Sequence, residues 1–291
     1  MNASAKVVLD KEVPTKVVLA NIVPTKVASA KVIPVKVMHI TSGETVLQQQ
    51  PEHSLLVRQG VKATILSTAM PEQKFHILIE EGAEVVVCTI HQHSTCKSSS
   101  DVHKDARIQW IDILLDDSNL QLQTNLLESG AEVSAYQAFL GSADIQSDVL
   151  HASGHTKSTM IAKGILQNGL GTYRGTITIP QQSSGCIAHQ RSDMILLDDQ
   201  SRGDAVPILD VSNDDVQCSH GATLGQIDES KIFYLASRGF TEDQAKKMIV
   251  EGFLASIIEH VPNESVKQEI QQHLERGLTV GKEIRTVMKG G

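Results

Sequence analysis

Apolar and polar residues alternate with a period of two through much of the chain, and small polar turns break the pattern at short intervals. Between about Met38 and Val216 the runs SLLVRQG, VKATILSTA, KFHILIEEGAEVVVCTIHQH, ARIQWIDILLDD, NLQLQTNLLESGAEVSAYQAFL and TYRGTITIP follow one another. Lys74-Phe75-His76-Ile77 and Asn119-Leu120-Gln121-Leu122-Gln123 show the alternation most clearly, and it is the pattern of a strand with one buried face. The tetrapeptide GAEV occurs at Gly82–Val85 and again at Gly130–Val133, each time leading into a new strand. Many short strands with small turns and no helical spacing predict a β-solenoid, sandwich or barrel. The irregular self-similarity favours a β-helix among these.

After Ile227 the period becomes helical. Asp228 is placed to cap a helix whose apolar stripe is Ile232, Phe233 and Leu235, and Gly239 ends it. Thr241-Glu242-Asp243-Gln244 reads as a capping box. The helix it opens has Ala245, Met248, Ile249, Phe253, Leu254, Ile257 and Ile258 on its apolar face. A third helix is predicted from near Pro262-Asn263, carrying Val266, Ile270 and Leu274.

The other end of the chain is different again. Lys6-Val7, Lys16-Val17, Lys26-Val27 and Lys36-Val37 recur with Pro14, Pro24 and Pro34 in step. Proline at that period forbids a long helix and interrupts a central strand. A low-complexity extended arm is favoured over a stacked β-edge. The predicted organisation is therefore an arm over residues 1–37, a β core over 38–226 and a helical subdomain over 227–291.

Composition narrows the picture. Only nine of the 291 residues are aromatic (five Phe, three Tyr and Trp110), so the core must be built from Val, Ile, Leu and Ala, which suits thin, regular interiors. A formal net charge of −8 argues against wrapping nucleic acid or lying on an anionic membrane. No apolar run is long enough for a transmembrane helix, and the N-terminus has no signal-peptide core. Cys88, Cys96, Cys186 and Cys218 follow no extracellular disulfide framework, so reduced thiols and a cytosolic setting are expected. No G-x-x-x-x-G-K-[ST] phosphate loop is present, which argues against an ATPase activity of this chain.

Three groups of residues invite a chemical reading. In Cys218-Ser219-His220 an extended backbone points positions 218 and 220 to the same face, so a thiolate and an imidazole, the soft and borderline ligands that iron–sulfur chemistry uses, can share one metal or cluster. Gly221 lets a partner backbone or a cluster come close. The competing reading is a buried structural Cys beside a turn-capping His. Cys88, His91, His93 and Cys96 crowd four ligands into nine residues, but the two His and the two Cys have opposite parity on a continuous strand, so a structural reading is preferred. The pairs Asp116-Asp117, Asp198-Asp199 and Asp214-Asp215 each follow an apolar run and read as turns rather than acid/base couples.

The segment PILDVSNDDVQCSHGATLGQIDESKIFYLASRGFTEDQAKKMIVEGF, from Pro207 to Phe253, resembles the C-terminal core of the SufB/SufD iron–sulfur cluster assembly proteins. Upstream, GTYRGTITIP from Gly171 and AHQRSDMILLDD from Ala188 fit the same family in order and spacing. The resemblance implies a right-handed parallel β-helix with a C-terminal α-helical subdomain. It also implies a non-catalytic scaffold that pairs with a SufB-like subunit or with itself and docks a SufC-type ATPase through its C-terminal helices. In the SufD branch the Cys and His of the C-S-H-G-A-T motif, here Cys218 and His220, are implicated in building a transient iron–sulfur cluster shared with the partner. Two departures from the SufB branch place the chain nearer SufD: no Cys in His189-Gln190-Arg191-Ser192-Asp193, and Gly221 where SufB has Glu. The helical region that family members carry ahead of the β-helix is expected to be missing. A β-helical polysaccharide-binding or polysaccharide-degrading protein is the alternative, weakened by the scarcity of aromatic platforms.

Overall fold

The computed structural model describes residues 37–40, 43–47, 52–69, 71–115, 117–262, 264, 267, 268 and 271. The ten-residue repeat and most of the predicted third helix lie outside these residues.

Sixteen strands alternate between two parallel sheets. The first sheet stacks β1 (Val37–Ile40), β3 (Glu52–Val57), β5 (Glu72–Ile79), β7 (Thr95–Val102), β9 (Ser118–Leu126), β11 (Ala143–His151), β13 (Leu170–Ile179) and β15 (Arg202–Val211). The second stacks β2 (Gly43–Leu47), β4 (Lys62–Thr68), β6 (Glu84–Gln92), β8 (Arg107–Leu115), β10 (Glu132–Leu140), β12 (Lys157–Leu166), β14 (Cys186–Leu196) and β16 (Val216–Gln226). Each rung contributes one strand to each sheet, so the chain winds as a parallel β-helix, as expected, and two of the three predicted helices follow it among the described residues. The strands β15 and β16 end the two sheets, and each leaves one backbone edge without a neighbouring strand.

The turns explain the GAEV repeat. Gly82 and Gly130 have φ of 67° and 79°, the left-handed conformation that a Cβ disfavours, and the same corner of other rungs is turned by Asp105 and His155. Gly82 N–H donates to Lys104 O at 2.9 Å and Gly130 N–H to His155 O at 3.1 Å, which ties each corner to the one above. The residue after each corner is small (Ala83, Ala106, Ala131) and buried; Thr156 and Cys186 hold the same place in later rungs. The next position carries a ladder of alternating charge: Lys62–Glu84 at 2.8 Å, Arg107–Glu132 at 3.1 Å and Glu132–Lys157 at 2.9 Å. Glu84 also approaches Arg107 at 3.9 Å. These pairs are exposed, so each stabilises little, but opposite signs in adjacent strands favour one register.

The main core fills the space between the sheets with Val, Ile, Leu and Ala around three large buried rings, Trp110, Phe139 and Tyr173. Phe75 meets Trp110 edge-on at 6.1 Å. Phe139 fits because Gly164 lies against it: a Cβ there would fall 2.1 Å from Phe139 Cζ.

A second cluster lies outside the second sheet, where helix α2 (Glu242–Ile258) packs Val250, Leu254 and Ile257 onto Ile111, Ile113, Ala138 and Ile165. Lys163 Nζ donates to Phe253 O at 2.7 Å, and the His260 ring stacks on Tyr136 at 3.7 Å. The capping box at Thr241 and Gln244 forms as predicted. Val250 is buried whereas Met248, expected on the apolar face, is 43% exposed. Helix α1 (Glu229–Ser237) starts at the Asp228 cap and buries none of its residues.

Candidate functional site at the open end of the β-helix

Among the described residues, the strand β16 has β14 on one side and no strand on the other. Its register sets Cys218 on Ala188 and His220 on Gln190. Ala188 and Gln190 are both fully inside, so positions 218 and 220 share the inward side of the sheet. Without a further rung, Cys218 is only half-buried against the edge of the core, and His220 is exposed. The predicted same-face arrangement of the two residues is present.

Burial raises the Cys218 thiol above its ordinary value, and the neighbouring Cys186 adds to this. The thiol is therefore protonated near neutrality and becomes a ligand only when a metal displaces its proton. Around Gly221 the chain leaves open space: a Cβ would meet nothing nearer than Arg191 Nη1 at 3.9 Å. Folding alone does not demand glycine there.

One rung down, the floor is polar. Gln190 is fully buried, yet neither its amide nitrogen nor its amide oxygen has a partner; Ser192 Oγ and Tyr173 Oη are likewise unpartnered. Gly175 makes room for the Gln190 amide, since a Cβ at 175 would come within 1.9 Å of its Nε2. Sequence reasoning passed over Cys186 and Gln190. The signal was there for Cys186: Gly185-Cys186 repeats the Gly-Ala step of GAEV, with Cys in the small-residue column.

On the outer side of the same two strands, Arg191 Nε donates to Asp193 at 2.8 Å and its Nη2 to Thr223 Oγ1 at 3.3 Å. His189 Nδ1 and Ser219 Oγ are 2.7 Å apart. Arg238 lies over the Tyr234 ring at 4.9 Å.

The other candidate residues are dispersed. Cys88 faces outward into the cluster beneath α2, whereas Cys96 faces the main core. Burial pushes their thiols up to about 12 and about 11. His91 is buried with Nε2 2.9 Å from Asp112 Oδ1, and His93 turns an exposed corner at φ 48°. Among the described residues no three His, Cys, Asp or Glu side chains gather as a metal site. Asp198 is a turn former, accepting from the backbone of Asn168, Gln200 and Ser201 at 2.7–2.8 Å, and Asp117 has φ 38° in another turn. Asp215 N–H donates to Asn213 Oδ1 in a third. Asp117, Asp198 and Asp215 thus sit in turns, as expected, while Asp116 lies outside the described residues.

Residues 39–253 match the family model of the SUF system FeS cluster assembly, SufBD core domain. The chain belongs to the SufBD family. It is 29% identical over 219 residues to an iron-sulfur cluster assembly SufBD family protein of Staphylococcus epidermidis, covering 71% of this chain and 47% of that protein. Proteins of the same description from Staphylococcus haemolyticus and Staphylococcus aureus are each 28% identical over 219 residues, with the same shares covered. The chain thus spans about half the length of the curated relatives it matches. The family match reaches through β16 into α2. Among the described residues no helix is long and apolar enough to cross a membrane.

Proposed function

We propose that this chain is a non-catalytic, SufD-like scaffold subunit of a cytoplasmic iron–sulfur cluster assembly complex. Cys218 and His220 are its ligands to a transient cluster, completed by a SufB-like subunit or a second copy at the open end. The observation that carries this reading is the pairing of Cys218 and His220 on the inward side of β16, whose outer edge pairs with no strand among the described residues and offers another chain a place to bond. Family members build clusters, and here a soft and a borderline ligand stand together where a second molecule can reach them.

The helices serve as the dock for a SufC-type ATPase. Phe233 is 76% and Tyr234 55% exposed on α1, and Phe240 and Met248 of the same subdomain are exposed as well. An apolar, aromatic-rich patch of this kind is the surface a partner covers.

Co-expression with SufB-like and SufC-like partners tests the reading. A stable complex is expected, with a cluster that Cys218→Ala or His220→Ala fails to retain. Components that never associate would overturn it.

One observation favours the polysaccharide alternative. The outer side of the first sheet holds a trough of about 450 Å³ lined by Lys74, His76, Lys97, Gln121, Gln123 and Asp148. Its only aromatic lining residue is Phe75, which is buried, so the trough offers no exposed stacking platform for a sugar ring. Glycan-array binding would be required to revive that reading.

A further inference from the structure

The penultimate rung places a second thiol beside Cys218. Cys186 pairs in register with Val216, and Cys218 with Ala188, so the two cysteines are diagonal neighbours on the inward side of adjacent strands. With strands about 4.8 Å apart and two residues of rise between them, their Cα atoms are separated by about 8 Å. That is too wide for a disulfide, which needs Cα atoms within about 6.8 Å. It suits two side chains leaning toward one shared metal, whose sulfur ligands stand about 3.8 Å apart in a tetrahedral site with bonds of about 2.3 Å.

Cys186 is 1% exposed at the edge of the main core, and its sulfur has polar partners in the turn and the rung beneath: Thr156 Oγ1 at 3.3 Å, Ser153 O and Ser183 O at 3.5 Å, and Ser184 O at 3.9 Å. The other turns place Ala83, Ala106 and Ala131 in this column, so the fold asks for a small residue here and does not require sulfur. A second, independent observation points to a ligand in the same layer. The Gln190 amide, directly beneath His220 and fully buried, has the Tyr173 hydroxyl beside it but no well-aligned hydrogen bond for its N–H or its oxygen. An amide N–H one rung below a cluster is placed to donate to a cluster sulfide.

We infer that Cys186 is a second sulfur ligand for the cargo held at Cys218, with the Gln190 amide as the hydrogen-bonding floor of the same seat. The inference rests on the proposed scaffold function and deepens its site. Coordination balances without an oxidant: two thiols and one divalent metal ion give a dithiolate–metal unit and release two protons to the buffer.

The test uses the full chain, reduced and anaerobic, titrated with Co²⁺ alone. Thiolate-to-Co²⁺ charge-transfer absorption scales with the number of sulfur ligands. Wild type is expected to show two-thiolate intensity, and Cys186→Ser and Cys218→Ser each to lose about half of it. The double variant, which keeps Cys88 and Cys96, gives the background. Cys186→Ala repeats the measurement, with melting curves to confirm folding. Full wild-type intensity in both Cys186 variants, together with complete loss in Cys218→Ser, overturns the inference and leaves the scaffold reading standing. No thiolate band in wild type overturns the inference and removes Cys218 from the site as well, whereas complex formation with the partners remains a separate measure of the scaffold role.

Discussion

His151 Nε2 lies 2.8 Å from Ser158 Oγ inside the β-helix, sealed from solvent, while its Nδ1 lies 2.7 Å from Thr156 Oγ1. Both ring nitrogens are occupied by hydroxyls, and no acid stands by to stabilise an imidazolium. Burial therefore pushes the His151 pKa down to about 4 from an ordinary 6.5.

The sign of the pH effect follows. Between those two values the unfolded chain binds a proton that the folded chain refuses, so stability is lost as pH falls through that window and is complete above it. The expected loss from this group is about 3 kcal/mol by pH 4. Urea melts of wild type and His151→Gln at pH 7 and pH 4.5 check it. The pH dependence should be visibly shallower in the variant, and identical slopes would discard the assignment.

Gly164→Ala drives a methyl into the Phe139 ring. Overpacking of this kind costs about 1–3 kcal/mol. Phe139→Leu in the same chain should return part of the loss, because the two changes share one space. Additive losses in a thermodynamic cycle would show that the ring and the glycine are not coupled.

Glu132 bridges Arg107 and Lys157 on the exposed charge ladder. Glu132→Gln should cost less than about 1 kcal/mol, and the difference from wild type should shrink in high salt. A salt-independent loss would point to packing instead.

Cys218→Ala and His220→Ala are expected to leave the melting temperature nearly unchanged, since neither side chain is enclosed. Both should lower iron and sulfide retention in the reconstituted complex. Gly221→Glu should also fold normally, because open space surrounds that position, yet hinder assembly. Normal cluster yield in all three variants would remove this end of the β-helix from function.

The alternation in NLQLQTNL became the buried and exposed sides of β9, and the Asp228 and Thr241 caps opened α1 and α2. These features depend on neighbours two to four residues apart, so a linear reading reaches them. Parity also separated His91 from Cys88, but it could not say that Cys88 would lie under α2 and Cys96 in the main core. The exposure of Met248 escaped prediction because which side of α2 meets the sheet is decided by packing between elements.

By itself the sequence determined the strand period, the turn corners, the helix caps and the same-side placement of Cys218 and His220, all set by local backbone geometry and side-chain chemistry. Tertiary structure alone decided which rung rests on which. Turns of unequal length set Ile108 beneath Val133 but Ala188 beneath Cys218, and no local rule counts those residues. That register brings Cys186 and the unpartnered Gln190 under the motif, and the ending of the stack at β16 leaves it open.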